Sequence, residues 1–169
     1  DASMHSSHPT AAAPTVPAAP SGPVTCEPSQ LAEVPFLEGP LRSALLVGGE
    51  RVAPEELESR VARRAAQLGT GRLVLLRGTA ELALVVDLLA CLRARCPAIL
   101  AGPSDPADDV LVERFDPDVV LDATAGPEGS EVVERRTGSV HALHPELALL
   151  LSTSGSTGSP KLVRLSRRN

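Results

Sequence analysis

Tryptophan and tyrosine are absent from this chain of 169 residues, and phenylalanine occurs twice. A surface so poor in aromatics has no stacking platforms for bases, and a net charge of −5 at pH 7 leaves no excess of cations for a phosphate backbone. Both features argue against a nucleic-acid partner. The three cysteines, Cys26, Cys91 and Cys96, stand at no metal-ligand spacing, and an odd number of thiols without a secretory signal reads as a reduced set. Cys91 falls in an apolar helical stretch and is expected in the core. Long hydrophobic runs are missing as well. The best candidate for a bilayer span is interrupted by Asp87, and no cationic segment precedes an apolar one as in a signal peptide. The expectation is a soluble, cytoplasmic protein with no membrane partner.

Lysine is the scarcest charged residue: 15 of the 16 basic residues are arginine, and the exception is Lys161. It closes a run reading Thr153-Ser154-Gly155-Ser156-Thr157-Gly158-Ser159-Pro160-Lys161. Glycines let a backbone turn its N–H groups toward an anion, hydroxyls add donors, and a compact ammonium on a flexible stem follows a phosphate as its charge changes. The spacing differs from a G-x-x-x-x-G-K-[ST] loop, because Lys161 lies between Pro160 and Leu162. A flexible linker has a similar composition. However, Leu147 to Leu151 before the run and Leu162 to Leu165 after it read as buried strands, and linkers are not clamped in this way.

Thr153 to Lys161 resembles the phosphate loop of the adenylate-forming (AMP-binding) ligases, the superfamily of acyl- and aryl-CoA synthetases, luciferases and nonribosomal adenylation domains. That family's loop reads Thr-Ser-Gly-Ser/Thr-Thr-Gly-x-Pro-Lys, and every position is matched. Residues 49–68 are similar to the family's first helix and the stretch before it, residues 84–95 to its second helix, and residues 165–169 to the segment after the loop. Ala53-Pro54 stands where the family usually has Thr-Tyr, and Arg95-Cys96 where a glycine commonly ends the second helix.

The resemblance implies the N-terminal portion of an acid ligase. A carboxylic acid attacks ATP, bound as its Mg2+ complex, to give an acyl-adenylate and pyrophosphate, and the thiol of CoA or of a carrier protein's pantetheine then takes the acyl group. Thr153, Ser154, Gly155, Ser156, Thr157, Gly158 and Lys161 are the implied nucleotide-binding residues, with Lys161 stabilising phosphate charge. The family's adenine pocket, metal-binding Glu, ribose-binding Asp, acid pocket and catalytic lysine lie further along its chains, so these 169 residues are expected to be inactive alone and to need the C-terminal part of the same enzyme. The alternative is a non-adenylating or scaffolding relative that binds nucleotide or acyl-adenylate without two-step catalysis.

Half of the 16 prolines fall between Pro9 and Pro40, among Ala, Ser and Thr and before the first Lys or Arg, Arg42. Residues 1–40 therefore read as a flexible Pro/Ala-rich leader, with Asp1-Ala2-Ser3 a cloning scar before the only methionine, Met4.

From Leu41 the pattern is α/β. A hairpin turns at Gly48-Gly49, and a helix opens at Pro54 with Glu55 and Glu56 in its first turn and stops at Gly69. Leu73 to Leu76, Pro97 to Leu100 and Val119 to Leu121 are apolar runs without alternation, as strands covered on both faces require. Thr79 is the expected cap of a second helix, which has almost no polar face, and Asp105-Pro106 the start of a third, ending near Phe115. Strands alternating with helices give a parallel sheet with helices on both faces.

Other polar residues carry less. His141 and His144 lack a third ligand at useful spacing and read as loop histidines. Asp105, Asp108, Asp109, Asp116 and Asp118 flank and cap the third helix. Lys161, Arg164, Arg167 and Arg168 follow Glu146 with no acid among them, which suits a polyphosphate pocket or a solvated edge.

Overall fold

The computed structural model describes residues 39–103, 107–125, 129–153 and 161–168. The leader up to residue 38 and the expected helix opening at Asp105-Pro106 lie outside them. The described chain begins with a hairpin of β1 (Leu45–Val47) and β2 (Glu50–Val52). Gly48 and Gly49 both take positive φ, +58° and +85°, as a two-residue turn matched to strand twist demands. Helix α1 (Pro54–Leu68) carries proline in its first turn, two glutamates beside its positive end, and Gly69 at its close. It buries Leu57, Val61 and Leu68.

Then come β3 (Val74–Arg77), α2 (Leu82–Arg93), β4 (Ala98–Ala101), α3 (Ala107–Phe115) and β5 (Val119–Asp122). A 3-10 turn (Ala123–Ala125) leads to β6 (Glu131–Glu134), β7 (Leu147–Thr153) and β8 (Lys161–Ser166). The sheet order is β6-β5-β3-β4-β7-β8. Its centre, β5-β3-β4-β7, is parallel, as the unalternating runs predict, and its two edges are antiparallel. β6 has no counterpart in the sequence reading, because its two valines sit exposed between glutamates and form neither an apolar run nor an alternating pattern.

Helices cover both faces. Val74, Leu76, Ala98, Val119 and Leu121 meet α1 and α2 through Val61, Leu68, Ala90 and Cys91. Leu75, Ile99, Val120 and Leu150 point the other way, onto Leu111, Val112 and Phe115 of α3. Each fully buried Leu or Val contributes about 1.5–3 kcal/mol relative to exposure. Cys91 and Cys96 are free thiols in the core, and burial pushes both thiols up.

The ends of α2 depart from expectation. Thr79 does not cap it: the Thr79 carbonyl accepts the Glu81 N–H at 2.7 Å in a tight turn, and the helix opens two residues later, from Glu81, with no side-chain cap. At the other end Arg95 occupies the left-handed position, φ +55°, that glycine usually fills. The Cys96 N–H reaches the Cys91 carbonyl at 2.9 Å and the Arg95 N–H the Leu92 carbonyl at 3.4 Å, which closes the helix despite a backbone cost of about 1–2 kcal/mol.

Candidate phosphate-binding site

Parallel pairing aligns the carboxyl ends of β3, β4, β5 and β7 along one edge of the sheet. Ligands gather on that edge where successive connections diverge. From β4 the chain crosses back over β3, by way of α3, to β5; from β7 it turns outward to β8. The crevice between the ends of β4 and β7 is thus a switch point. A second divergence, between β3 and β5, is filled: Gly78 lies so close to Ala123 that a Cβ on it would stand 2.8 Å from the alanine Cβ.

The hydroxyl and glycine run springs from the first crevice. Thr153 ends β7 and pairs in antiparallel register with Lys161, the exposed first residue of β8. Ser154, Gly155, Ser156, Thr157 and Gly158, the intervening candidates, lie outside the described residues. Lys161 and Thr153 therefore form the stem of the loop, held by the β7–β8 ladder. The run leads into a strand, so any anion affinity comes from backbone N–H groups, hydroxyls and the ammonium without a helix macrodipole.

The arginines that follow are not part of this site. β8 runs antiparallel to β7, so its far end lies about 17 Å from the loop, at the opposite edge of the sheet. There Arg167 donates to the Leu92 carbonyl at 2.7 Å, and its backbone N–H donates to the Glu146 carbonyl at 2.8 Å. Arg168 pairs with the Glu146 carboxylate at 3.2 Å. Arg164, opposite Leu150, projects to the face of the sheet away from Lys161. Of these four cations, whose run suited either a polyphosphate pocket or a solvated edge, the strand direction puts Lys161 at the loop stem and the three arginines elsewhere.

Two buried carboxylates were not recognised from sequence. Asp118 does not cap α3; it has no accessible surface and pins the opposite edge of the sheet. It accepts the Leu73 N–H at 2.8 Å and an Arg136 N–H at 3.1 Å, with His141 Nε2 3.9 Å away. Burial alone would raise its carboxyl, but the Ser139 hydroxyl, the Leu73 N–H, Arg136 and His141 together hold it below the usual carboxylate range. Asp116 pairs with Arg136 and Arg135 at 2.6 and 3.0 Å. Asp105 lies outside the described residues, as do the side chains of Asp108 and Asp109. Asp87, the acid inside α2, is buried and ion-paired with Arg64 Nε at 2.8 Å; burial pushes its carboxyl up, and the Ser130 hydroxyl and Arg64 offset this in part. An acid in an otherwise apolar helix was the available signal, since such a charge must find a partner.

The histidines serve loops. His141 Nε2 lies 2.9 Å from the Asp116 carbonyl, and His144 Nδ1 accepts the Glu146 N–H. Among the described residues no three His, Cys, Asp or Glu side chains form a metal-ligand group. No described helix is long and apolar enough to cross a membrane.

No family model and no curated protein sequence matches the chain. Solved structures do. O-succinylbenzoate coenzyme A synthetase (MenE) from Bacillus subtilis, in complex with AMP, matches over 75% of this chain and 39% of its own, with 19% identity and a TM-score of 0.56. The N-terminal subdomain of Klebsiella oxytoca NpsA, in complex with anthranilyl-AMSN, matches over 74% and 37%, with 20% identity and a TM-score of 0.55. A fatty acid AMP ligase from Legionella pneumophila matches over 70% and 26%, with 23% identity and a TM-score of 0.54. The chain spans less than two fifths of the length of these structures. Its fold is that of the N-terminal part of adenylate-forming ligases.

Proposed function

We propose that this chain is the phosphate-binding N-terminal portion of an AMP-forming acid ligase. The observation that carries the reading is the place of Thr153 and Lys161, the two ends of the hydroxyl and glycine run, beside a switch point of the sheet. In the full-length enzyme a small carboxylic acid attacks the α-phosphate of ATP, the bond to the β-phosphate breaks, and pyrophosphate leaves with the electron pair. The thiol of CoA or of a carrier pantetheine then attacks the acyl carbon of the adenylate in a cytoplasmic reaction, the bond to the phosphate breaks, and AMP leaves.

The work of Thr153, Ser154, Gly155, Ser156, Thr157, Gly158 and Lys161 is positional and electrostatic. Charge grows on the leaving pyrophosphate, and donors already aimed at it lower the barrier because nothing has to reorganise. The rigid β7–β8 ladder fixes the stem from which those donors reach. Mg2+ keeps water and substrate phosphates among its ligands. It enters as the complex with the nucleotide.

ATP–pyrophosphate exchange tests the assignment. The full-length protein is expected to exchange label in the presence of one or more members of a carboxylic acid panel, and the 169-residue chain to give none. Acid-dependent exchange by the short chain contradicts the division of labour. Its absence from the full-length protein with every acid favours a binding or scaffolding relative.

A further inference from the structure

The six-stranded sheet ends at β6, and no described strand pairs with the outer edge of β6. The Val119 N–H donates to the Leu73 carbonyl at 3.3 Å, toward β3, and the Arg135 N–H donates to the Asp118 carbonyl at 3.0 Å. Backbone groups alternate in direction along a strand, so Val120 and Asp122 turn toward β6, and Val133 and Glu131 turn back to meet them. Val132 and Glu134 are left with their N–H and C=O groups pointing away from the sheet. The two valines stand on opposite faces, Val132 44% and Val133 46% exposed.

Natural edges are commonly closed to other strands by a lysine, a proline or a covering segment. Between Glu131 and Glu134 there is neither lysine nor proline, and every position is exposed. What guards this edge is charge of one sign. Glu131 lies directly opposite Asp122, on the face of Val133, and Glu134 lies on the face of Val132. The Glu134 carboxylate pairs with Arg72 at 2.9 Å and is still more than half exposed. These carboxylates are solvated and require no partner, but they select one, since opposite charges across a ladder favour pairing and like charges oppose it.

A second copy docked β6 to β6 about a two-fold axis sets Glu131 against Glu134, which the charges disfavour. Residues 1–38 contain no Lys or Arg with which to meet them. We infer that β6 accepts an extended segment of another protein as an added strand, one that carries a pair of β-branched residues flanked by Lys or Arg. Its main chain bonds to the outward groups of Val132 and Glu134, its apolar pair lies beside Val132 and Val133, and its cations meet Glu134 and the Glu131–Asp122 pair. The inference does not depend on the ligase reading.

Fluorescence anisotropy of labelled, end-capped peptides with the full-length protein tests this. The peptide Thr-Lys-Val-Val-Lys-Thr is expected to bind about 10-fold more tightly than Thr-Glu-Val-Val-Glu-Thr, which reverses the charges, and than Thr-Lys-Gly-Gly-Lys-Thr, which lacks the β-branched pair. At saturation it is expected to slow hydrogen exchange at the Val132 and Glu134 amides, which face solvent in the free protein. Val132→Pro removes an outward N–H and spares the β5 ladder, so it is expected to weaken binding about 10-fold. Glu131→Lys is expected to weaken the lysine peptide and strengthen the glutamate peptide; it decides alone if Val132→Pro does not unfold cooperatively. The inference is overturned if the lysine peptide does not bind at millimolar concentration, if either control binds as tightly, or if a folded Val132→Pro or Glu131→Lys binds like wild type. It is also overturned if both amides are protected without peptide, since another segment of the full-length chain then occupies the edge.

Discussion

Lys161→Ala in the full-length protein lowers the rate of acyl-adenylate formation by about 10² to 10³, the usual loss when one well-placed donor to developing charge is removed. The size of the effect follows from geometry. Lys161 is the one lysine of the chain and the residue paired with Thr153 across the loop stem, so no neighbouring cation takes its place. Arg164, Arg167 and Arg168 lie further along β8 and beyond it, two of them tied to Leu92 and Glu146. Arg167→Ala is therefore expected to change the rate by less than about threefold, a loss within what mispacking alone produces. Lys161→Arg keeps the charge but replaces a compact ammonium with a planar fork and recovers only part of the rate. Initial rates of ATP–pyrophosphate exchange for the variants check the ranking. Equal losses at Lys161 and Arg167 contradict it.

Asp118→Ala is expected to destabilise the fold by about 3 kcal/mol or more, because the change orphans the buried Leu73 N–H and takes a carboxylate from Arg136 at once. With a denaturant slope of about 1–3 kcal/mol/M, the urea midpoint falls by about 1 M or more. Asp118→Asn keeps an acceptor for Leu73 and loses less. The effect is pH-dependent with a definite sign. Asp118 is held below its unfolded value of about 3.9, so its ionic contribution is complete above that pH and is lost as the pH falls through the lower, folded value. The gap between wild type and Asp118→Ala is therefore widest near neutrality and narrows below about pH 4. Urea titrations at both ends of that window measure it; a gap that widens in acid reverses the assignment.

The parts of the molecule that were legible in sequence are those fixed by local chemistry. Pro54, Glu55, Glu56 and Gly69 punctuate α1, and the unalternating runs from Val74 and Val119 announce strands covered on both faces. The run from Thr153 to Lys161 stands out in sequence because glycine, hydroxyls and a solitary lysine together are chemically distinctive, and the structure describes its two ends, Thr153 and Lys161. Long-range pairing decided the rest. β6 is exposed at every position and is a strand only because β5 offers it an edge. Asp118 looks like a helix-flanking acid until the sheet brings Leu73 to it, 45 positions away. The arginines after Lys161 look like one cationic cluster until the antiparallel β8 turns Arg164 to the other face and carries Arg167 and Arg168 to the other edge.

The central claim, that the loop from Thr153 to Lys161 wraps a polyphosphate, is tested most directly by amide hydrogen exchange on the full-length protein with and without ATP. The account predicts that nucleotide slows exchange at Ser154 to Ser159, the Gly155 to Gly158 amides most of all, that Lys161→Ala loses most of this protection, and that Arg167→Ala keeps it. Equal exchange in the two states, or protection that survives Lys161→Ala and disappears with Arg167→Ala, contradicts it.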